Sequence, residues 1–244
     1  MNSRRSAVFD PSLEVFKVHF DNDPIVPGLL LVLNELQQRS APTDASTRVE
    51  RLLFKAFVRP GQTVTYVNEA AQTRIDNESG MCCSFASSIA GALDAPEYIG
   101  QPCLNPVHVS PTREPQYWFL PEQVNVNEDG SHASTCIDLA QVIAQHGYLA
   151  QIVDPALLVV SEALGNLALV LQQRHAAGTP ASYVFARFDA LEIALNRTTS
   201  AAPLHLHTRV RHFGSFLAWD ACAWDAQGVR LVVHNAISVK RKTP

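Results

Sequence analysis

The sequence predicts an α+β protein in which one unit occurs twice, each copy an antiparallel sheet around one long apolar helix. Three observations support this fold class. Two long segments are apolar on almost every helical side, each is followed by three stretches with strand-like alternation, and a proline-rich segment separates the two sets. The 244 residues are 47% hydrophobic, which is enough for a sizeable buried core.

In the first half, the step from Pro27 to Gly28 starts an apolar helix that runs to about Arg39. Residues 46–58 then alternate between apolar and polar side chains as a half-buried strand does. Residues 59–74 and 80–91 predict two further strands around turns that contain glycine.

The second half repeats this order. Residues 154–174 predict a helix, and residues 182–196, 204–213 and 215–239 predict the strands that follow it. A helix that is apolar all round must be enclosed by the protein, so we expect each helix to be the centre of its unit.

A proline-rich segment marks the boundary between the halves. Residues 101–116 contain four prolines in sixteen positions, a composition that opposes regular structure. We therefore predict an N-terminal unit over 1–105, a linker over 106–115 and a C-terminal unit over 116–244.

Composition narrows the class of protein. Nineteen basic and 23 acidic residues give a net charge of −4, which argues against nucleic-acid binding. The apolar runs appear interrupted or too short to span a bilayer and no signal sequence begins the chain, so we expect a cytoplasmic protein without membrane contact. The five cysteines are odd in number and lack CxxC spacing, which predicts free core thiols.

The second helix carries an unusual polar face. Ser161 and Gly165 are four residues apart, as are Glu162 and Asn166, so the four share one side of the helix. Desolvation disfavours the charged form of an enclosed carboxylate, which makes Glu162 a candidate general acid. The alternative is a structural carboxylate bonded to a backbone amide or an arginine.

A histidine-containing loop precedes the first helix. The stretch "HFDNDPIVPG", from His19 to Gly28, resembles the H-F-P-G-D-P-V-M-P-G loop of bacterial 3-hydroxyacyl-carrier-protein dehydratases. A second, looser match is "FKAFVRPGQTVTY", which is similar to the F-R-R-P-V-x-P-G-D strand and turn of that family. The resemblance implies the hot-dog fold, and with two units in one chain it implies a double hot-dog that forms a pseudo-dimer.

In that family, each site takes its histidine from one unit and its acid from the central helix of the other. The position of the acid is occupied here by Leu33 in the first helix, and Glu35 lies two positions off the required face. The second helix offers Glu162 in "EALGN", which resembles the family's E-A-M-A-Q. A histidine in the first unit and an acid in the second is also the division seen in dehydratase domains of polyketide synthases.

The resemblance implies dehydration of a 3-hydroxyacyl thioester, carried by an acyl carrier protein or by coenzyme A, in fatty-acid-like or polyketide-like biosynthesis. His19 would be the base at the mouth of an acyl tunnel and Glu162 the acid. Pro27 and Gly28 would bind substrate, with the Gly28 N–H on the thioester oxygen, and Asn166 would orient Glu162. No cofactor or metal is expected.

Other functions stay open from the sequence. A hot-dog thioesterase would use Glu162 to activate water and would leave His19 without a role, whereas a noncatalytic partner of an acyl-processing enzyme would need neither. His146 could be a displaced histidine of a second, inactive site, since Leu33 offers it no acid. His205 and His207 have the spacing of a metal pair but lack a third ligand nearby. Further pairing into a homodimer is also open.

Overall fold

The computed structural model describes residues 3–19, 23–38, 46–110, 118–175, 183–194 and 203–241. The described chain combines one twelve-stranded sheet, in which every strand pairing is antiparallel, with a few helices. The predicted α+β class is therefore confirmed.

The N-terminal unit consists of five strands and two helices. In chain order these are β1 (Ser3–Val8), α1 (Glu14–Val18), α2 (Gly28–Leu36), β2 (Ser46–Phe54), β3 (Thr63–Glu69), β4 (Gln72–Asn77) and β5 (Gly80–Ala90).

The C-terminal unit consists of seven strands and two α-helices. They are β6 (Asn105–His108), β7 (Gln123–Val126), β8 (His132–Ile137), α3 (Leu139–Gln145), α4 (Ala156–His175), β9 (Tyr183–Ile193), β10 (Leu204–His212), β11 (Phe216–Asp225) and β12 (Gly228–Lys240). Short 3-10 helices cover Glu97–Gly100 and Gly147–Gln151.

The two units share one sheet. Its strand order is β1-β3-β4-β5-β2-β9-β12-β11-β10-β8-β7-β6, so β2 of the first unit pairs with β9 of the second. The register of that seam runs from Thr47 opposite Ile193 to Leu53 opposite Arg187. The sheet is thus continuous across the pseudo-dimer, and α2 and α4 contact each other.

Both long helices are enclosed, as their all-round apolar sequences predict. In α2 the side chains from Leu29 to Leu33 are buried. In α4 every residue from Ala156 to Leu171 is buried except Glu162. The side chains of both helices belong to the same hydrophobic core cluster, which extends through both units.

The length of α4 corrects one expectation. Its 20 residues are long and apolar enough to cross a membrane by length and composition, contrary to the expectation that the apolar runs are interrupted or too short. In the fold, 72% of the apolar stretch is buried inside the protein, because α4 is the central helix of its unit.

The strand prediction needs several corrections. Residues 59–74 contain β3 and the start of β4 rather than one strand, and residues 215–239 contain both β11 and most of β12. The strand β1 was not predicted. The hairpin of β7 and β8 was also missed, so strands precede as well as follow the helix in the second unit.

The predicted linker, 106–115, begins inside a strand. Pro106 lies in β6, which pairs with β7 at the end of the sheet, where the missing N–H of a proline costs no ladder hydrogen bond. Residues 111–115 of the predicted linker lie outside the described residues.

The cysteines are free, but only part of the set is in the core. Cys82, Cys83 and Cys222 are buried as expected, whereas Cys103 is half-buried and Cys136 is exposed on β8. The expectation of five core thiols is therefore wrong for two of them, since Cys136 lies on the exposed side of β8 and Cys103 lies in the segment before β6.

Candidate active site

One cavity lies where the two units meet, and both units contribute to its walls. The N-terminal unit supplies His19, Gly28 and Phe54 among other residues, and the C-terminal unit supplies Glu162 and Phe185 among others. The volume available to water-sized molecules is about 70 Å³. We call this space the shared cavity. It brings the imidazole of one unit and the carboxyl of the other to a common space.

His19 is held by a short helix and by burial. It is the C-cap residue of α1, and its backbone N–H donates to the Val15 carbonyl at 3.1 Å. The residue is buried, with 7% of its surface exposed. Burial lowers the pKa of His19 to about 3, with the positive charge of Arg241 as a second cause. The imidazole is therefore neutral near pH 7 and able to accept a proton.

Asp23, which lies on the approach to α2, is bound by two arginines that are far from it in the sequence. Asp23 accepts hydrogen bonds from Arg59 and from Arg241, the latter at 2.8 Å. These hydrogen bonds and charges keep the pKa of Asp23 below its ordinary value. Further along, the Val26 N–H donates to the Val58 carbonyl at 2.8 Å, which fixes the approach to α2.

Glu162 interrupts the buried stretch of α4. It is half-buried, and it lines the shared cavity while its neighbours along the helix face the core. Burial and the negative charge of the nearby Glu162 both raise the pKa of the Tyr148 phenol. The position of Glu162 suits proton transfer to a group bound in the cavity.

The structure brings only part of the predicted set together. Gly28, the first residue of α2, lines the cavity, whereas Pro27 precedes it as the buried N-cap residue and is not part of the lining. Asn166 is buried elsewhere on α4, and its Nδ2 atom makes no hydrogen bond within the described part of the chain. The spacing of one helical turn therefore does not turn the Asn166 amide into the cavity.

The alternative acid of the first unit has a structural role. Glu35 is buried and accepts hydrogen bonds from the Asn68 side chain at 2.8 Å and the Arg5 guanidinium at 3.3 Å. Leu33, at the position of the family's acid, is buried in the core.

His146 occupies a place like that of His19. It is the C-cap residue of α3, as His19 is of α1, and its Nδ1 donates to the Val142 carbonyl at 2.9 Å. Its ring packs edge-on against Phe119 at 5.1 Å between centroids, and it does not line the shared cavity.

His205 and His207 have separate neighbours. His205 is exposed and lies 3.0 Å from the Cys136 sulfur, whereas His207 is buried and its Nε2 lies 3.0 Å from Nδ1 of His132. Across the described residues, no group of three or more histidine, cysteine or acidic side chains is arranged to hold a metal ion.

Several residues that form this site were not predicted from the sequence. The aromatic side chains of Phe54, Phe57, Tyr183 and Phe185 line the cavity, and Arg241 acts on His19 from near the C-terminus. Of these, only the region of Phe54 and Phe57 fell within a recognised motif, since both lie in the "FKAFVRPG" stretch. Nothing in the alternation of β9 distinguishes a cavity-lining phenylalanine from a core one.

Comparison with known proteins agrees with this geometry. Residues 3–88, nearly all of the N-terminal unit, match the model of the ApeI-like family, described as ApeI dehydratase. No curated protein sequence matches the chain.

Solved structures match nearly the whole chain. The dehydratase domain of PpsC from Mycobacterium tuberculosis, in complex with C12:1-CoA, superposes with a TM-score of 0.69 at 15% identity, over 98% of this chain and 94% of that one. The dehydratase domain from the CurJ module of the curacin polyketide synthase gives 0.66 at 15% identity, over 98% and 92%. GphF dehydratase 1 gives 0.64 at 12% identity, over 99% and 94%.

These matches confirm the resemblance found in the loop from His19 to Gly28. The chain is a double hot-dog protein with the fold of polyketide synthase dehydratase domains, and its N-terminal unit matches the ApeI-like dehydratase family.

Proposed function

We propose that the protein dehydrates a 3-hydroxyacyl thioester to the 2-enoyl thioester in polyketide-like biosynthesis. The observation that carries the proposal is the shared cavity, lined by both His19 and Glu162. The match of residues 3–88 to a dehydratase family supports the same reaction.

In the proposed mechanism His19 removes a proton from C2 of the substrate. The electron pair of that C–H bond forms the C2–C3 double bond, and the bond from C3 to the hydroxyl oxygen breaks. Glu162 gives its proton to the departing hydroxyl, which leaves as water. Return of the proton from the His19 imidazolium to the Glu162 carboxylate restores both groups.

Two features support His19 as the base. Its lowered pKa keeps the imidazole unprotonated at neutral pH, and burial shields it from competing water. The low pKa also makes His19 a weak base in the empty cavity, so a bound substrate must supply part of the driving force through stabilisation of the charge that develops on the thioester oxygen.

Gly28 is our candidate for that stabilisation. It is the first residue of α2, and the N–H groups of a first helical turn have no partner within the helix. An oxyanion bound there would gain from these N–H groups and from the helix dipole.

The carrier of the acyl group is either an acyl carrier protein or coenzyme A. The comparison structure of PpsC holds an acyl-CoA, which supports a thioester of this kind as substrate. We also propose a cytoplasmic location, which is compatible with five unpaired cysteines.

The test is a mass measurement on carrier-bound and CoA-bound 3-hydroxyacyl substrates, in which dehydration removes one water. We expect His19→Ala and Glu162→Gln each to lower turnover by on the order of a hundredfold or more while the fold is retained. His108→Ala and Glu122→Gln serve as matched controls, because both residues are exposed and neither lines the shared cavity. Both variants should keep wild-type rates.

The assay also separates the alternatives. A thioesterase would release free acid and thiol instead of the enoyl thioester. A noncatalytic partner would give neither product, and normal dehydration in either variant of the pair would contradict the mechanism.

A further inference from the structure

The inner end of the shared cavity is built from aromatic rings. Phe54 on β2 and Phe185 on β9 line the cavity, and behind them lie Phe188 and Trp219, which are fully buried. The ring centroids are 6.4 Å apart for Phe54 and Phe188, and 5.2 Å apart for Phe185 and Phe188. We call these four residues the aromatic cluster.

The aromatic residues around the cavity differ in exposure. Phe57 is 50% exposed, whereas Phe54 and Phe185 are partly buried and Phe188 has no exposed surface. A chain that enters on the exposed side, beside Phe57, would meet the rings of Phe54 and Phe185, with the buried rings of Phe188 and Trp219 behind them.

Each of the two front rings packs on a glycine of a central helix. A methyl group placed on Gly28 would lie 2.6 Å from the Phe54 ring, and one on Gly165 would lie 3.0 Å from the Phe185 ring. Gly165 follows Glu162 by three residues, which is close to one turn of α4. The Phe185 ring is thus seated about one turn from the carboxyl, and a methyl group at position 165 would require the ring to shift by a few tenths of an ångström.

The Phe185 ring has little room to retreat. Its centroid is 5.9 Å from that of Trp219, and Trp219 is itself held by a hydrogen bond from its Nε1 to the Ser238 hydroxyl at 3.0 Å. Close-packed rings behind the cavity cannot yield to a longer chain without a cost in packing.

We propose that Phe185, supported by the aromatic cluster and seated on Gly165, sets the upper limit on the length of the acyl chain. This inference rests on the proposed function, and it adds that the preferred substrates are short 3-hydroxyacyl thioesters.

The test compares kcat/KM for 3-hydroxybutyryl, 3-hydroxyoctanoyl and 3-hydroxydodecanoyl thioesters of coenzyme A. Phe185→Leu should raise the ratio of octanoyl to butyryl turnover by about tenfold or more, because it removes the ring from the chain's path. Gly165→Ala should lower the same ratio, because its methyl group would press the ring into the cavity. Two changes with opposite expected signs are difficult to explain by loss of folding.

Phe119→Leu is the matched control. It removes the same ring atoms from a buried residue of the same unit, at a position outside both the shared cavity and the aromatic cluster. It should lower thermal stability and keep the ratio within twofold of wild type. An unchanged ratio in Phe185→Leu, or an equal change in Phe119→Leu, would overturn the inference.

Failure of the proposed function would look different. If no 3-hydroxyacyl thioester is dehydrated by the wild type, the function is wrong, and binding of saturated acyl-CoA measured by calorimetry still tests the chain-length limit. Weaker binding of longer chains to wild type, relieved in Phe185→Leu, supports the limit. Equal binding of all lengths to both proteins contradicts it.

Discussion

Replacement of His19 by glutamine should make the protein less sensitive to acid. The pKa of this histidine is about 3 in the fold against 6.5 for an ordinary histidine, because the neutral ring is buried. The unfolded chain therefore binds a proton at a pH where the folded protein does not. The stability that His19 contributes is complete above pH 6.5 and declines as the pH falls from 6.5 towards 3.

The difference between these two pKa values determines how much folding stability is lost on acidification. It corresponds to about 5 kcal/mol over the whole range, of which about 2 kcal/mol is lost between pH 7 and pH 5. His19→Gln should consequently lose about 2 kcal/mol less than wild type between these two pH values. Other groups that titrate in this range affect wild type and variant alike, so they cancel in the comparison.

Urea unfolding at pH 7, 6 and 5 gives the free energy of unfolding at each pH from the midpoint and slope. The control is His108→Gln, a change to an exposed histidine on the edge strand β6 that should keep the wild-type pH dependence. Equal acid sensitivity in wild type and His19→Gln would refute the reasoning, because it would mean that the ring is solvated or protonated in the fold.

Three further predictions concern charge and hydrogen bonding. Arg241→Ala should raise the pKa of His19, because it removes a positive charge that opposes the imidazolium, so the acid limb of kcat/KM against pH should move to higher pH. Arg230→Ala should destabilise the protein by about 3–5 kcal/mol in urea unfolding. In the wild type the Arg230 Nε lies 2.9 Å from the buried carboxylate of Asp225, and the variant leaves that carboxylate without its ionic partner. Thr208→Val should cost about 1 kcal/mol in the same assay, because the hydroxyl donates to the Leu164 carbonyl of α4 at 2.9 Å.

Much of the fold follows from hydrophobic patterning. The two central helices are apolar on all sides, and this predicts their enclosure without any knowledge of the strands around them. The strands that pack on these helices alternate clearly. By contrast, β1 has the sequence Ser-Arg-Arg-Ser-Ala-Val and is paired on one side only, so it carries no buried stripe to recognise.

The hairpin of β7 and β8 was missed for a different reason. Its strands are short and mostly polar, and they follow a proline-rich segment whose composition is typical of a linker. The Asp129-Gly130 pair was a usable signal, since Gly130 has a φ of +72° in the turn between the strands.

For the site, the sequence indicated single residues better than their surroundings. The loop motif identified His19 and Gly28, and the carboxyl in an apolar helix identified Glu162. The orientation of Asn166 and the approach of Arg241, which is 218 positions from Asp23, depend on the tertiary packing and have no local signature.

Main-chain hydrogen bonds between β2 and β9 join the two units. Because alternate residues of a strand face opposite sides, an insertion of one residue in either strand would exchange the side chains that face the helices with those that face away. An isolated unit would present an unpaired strand at this seam and would lack part of the cavity lining, so neither half could carry out the proposed reaction alone.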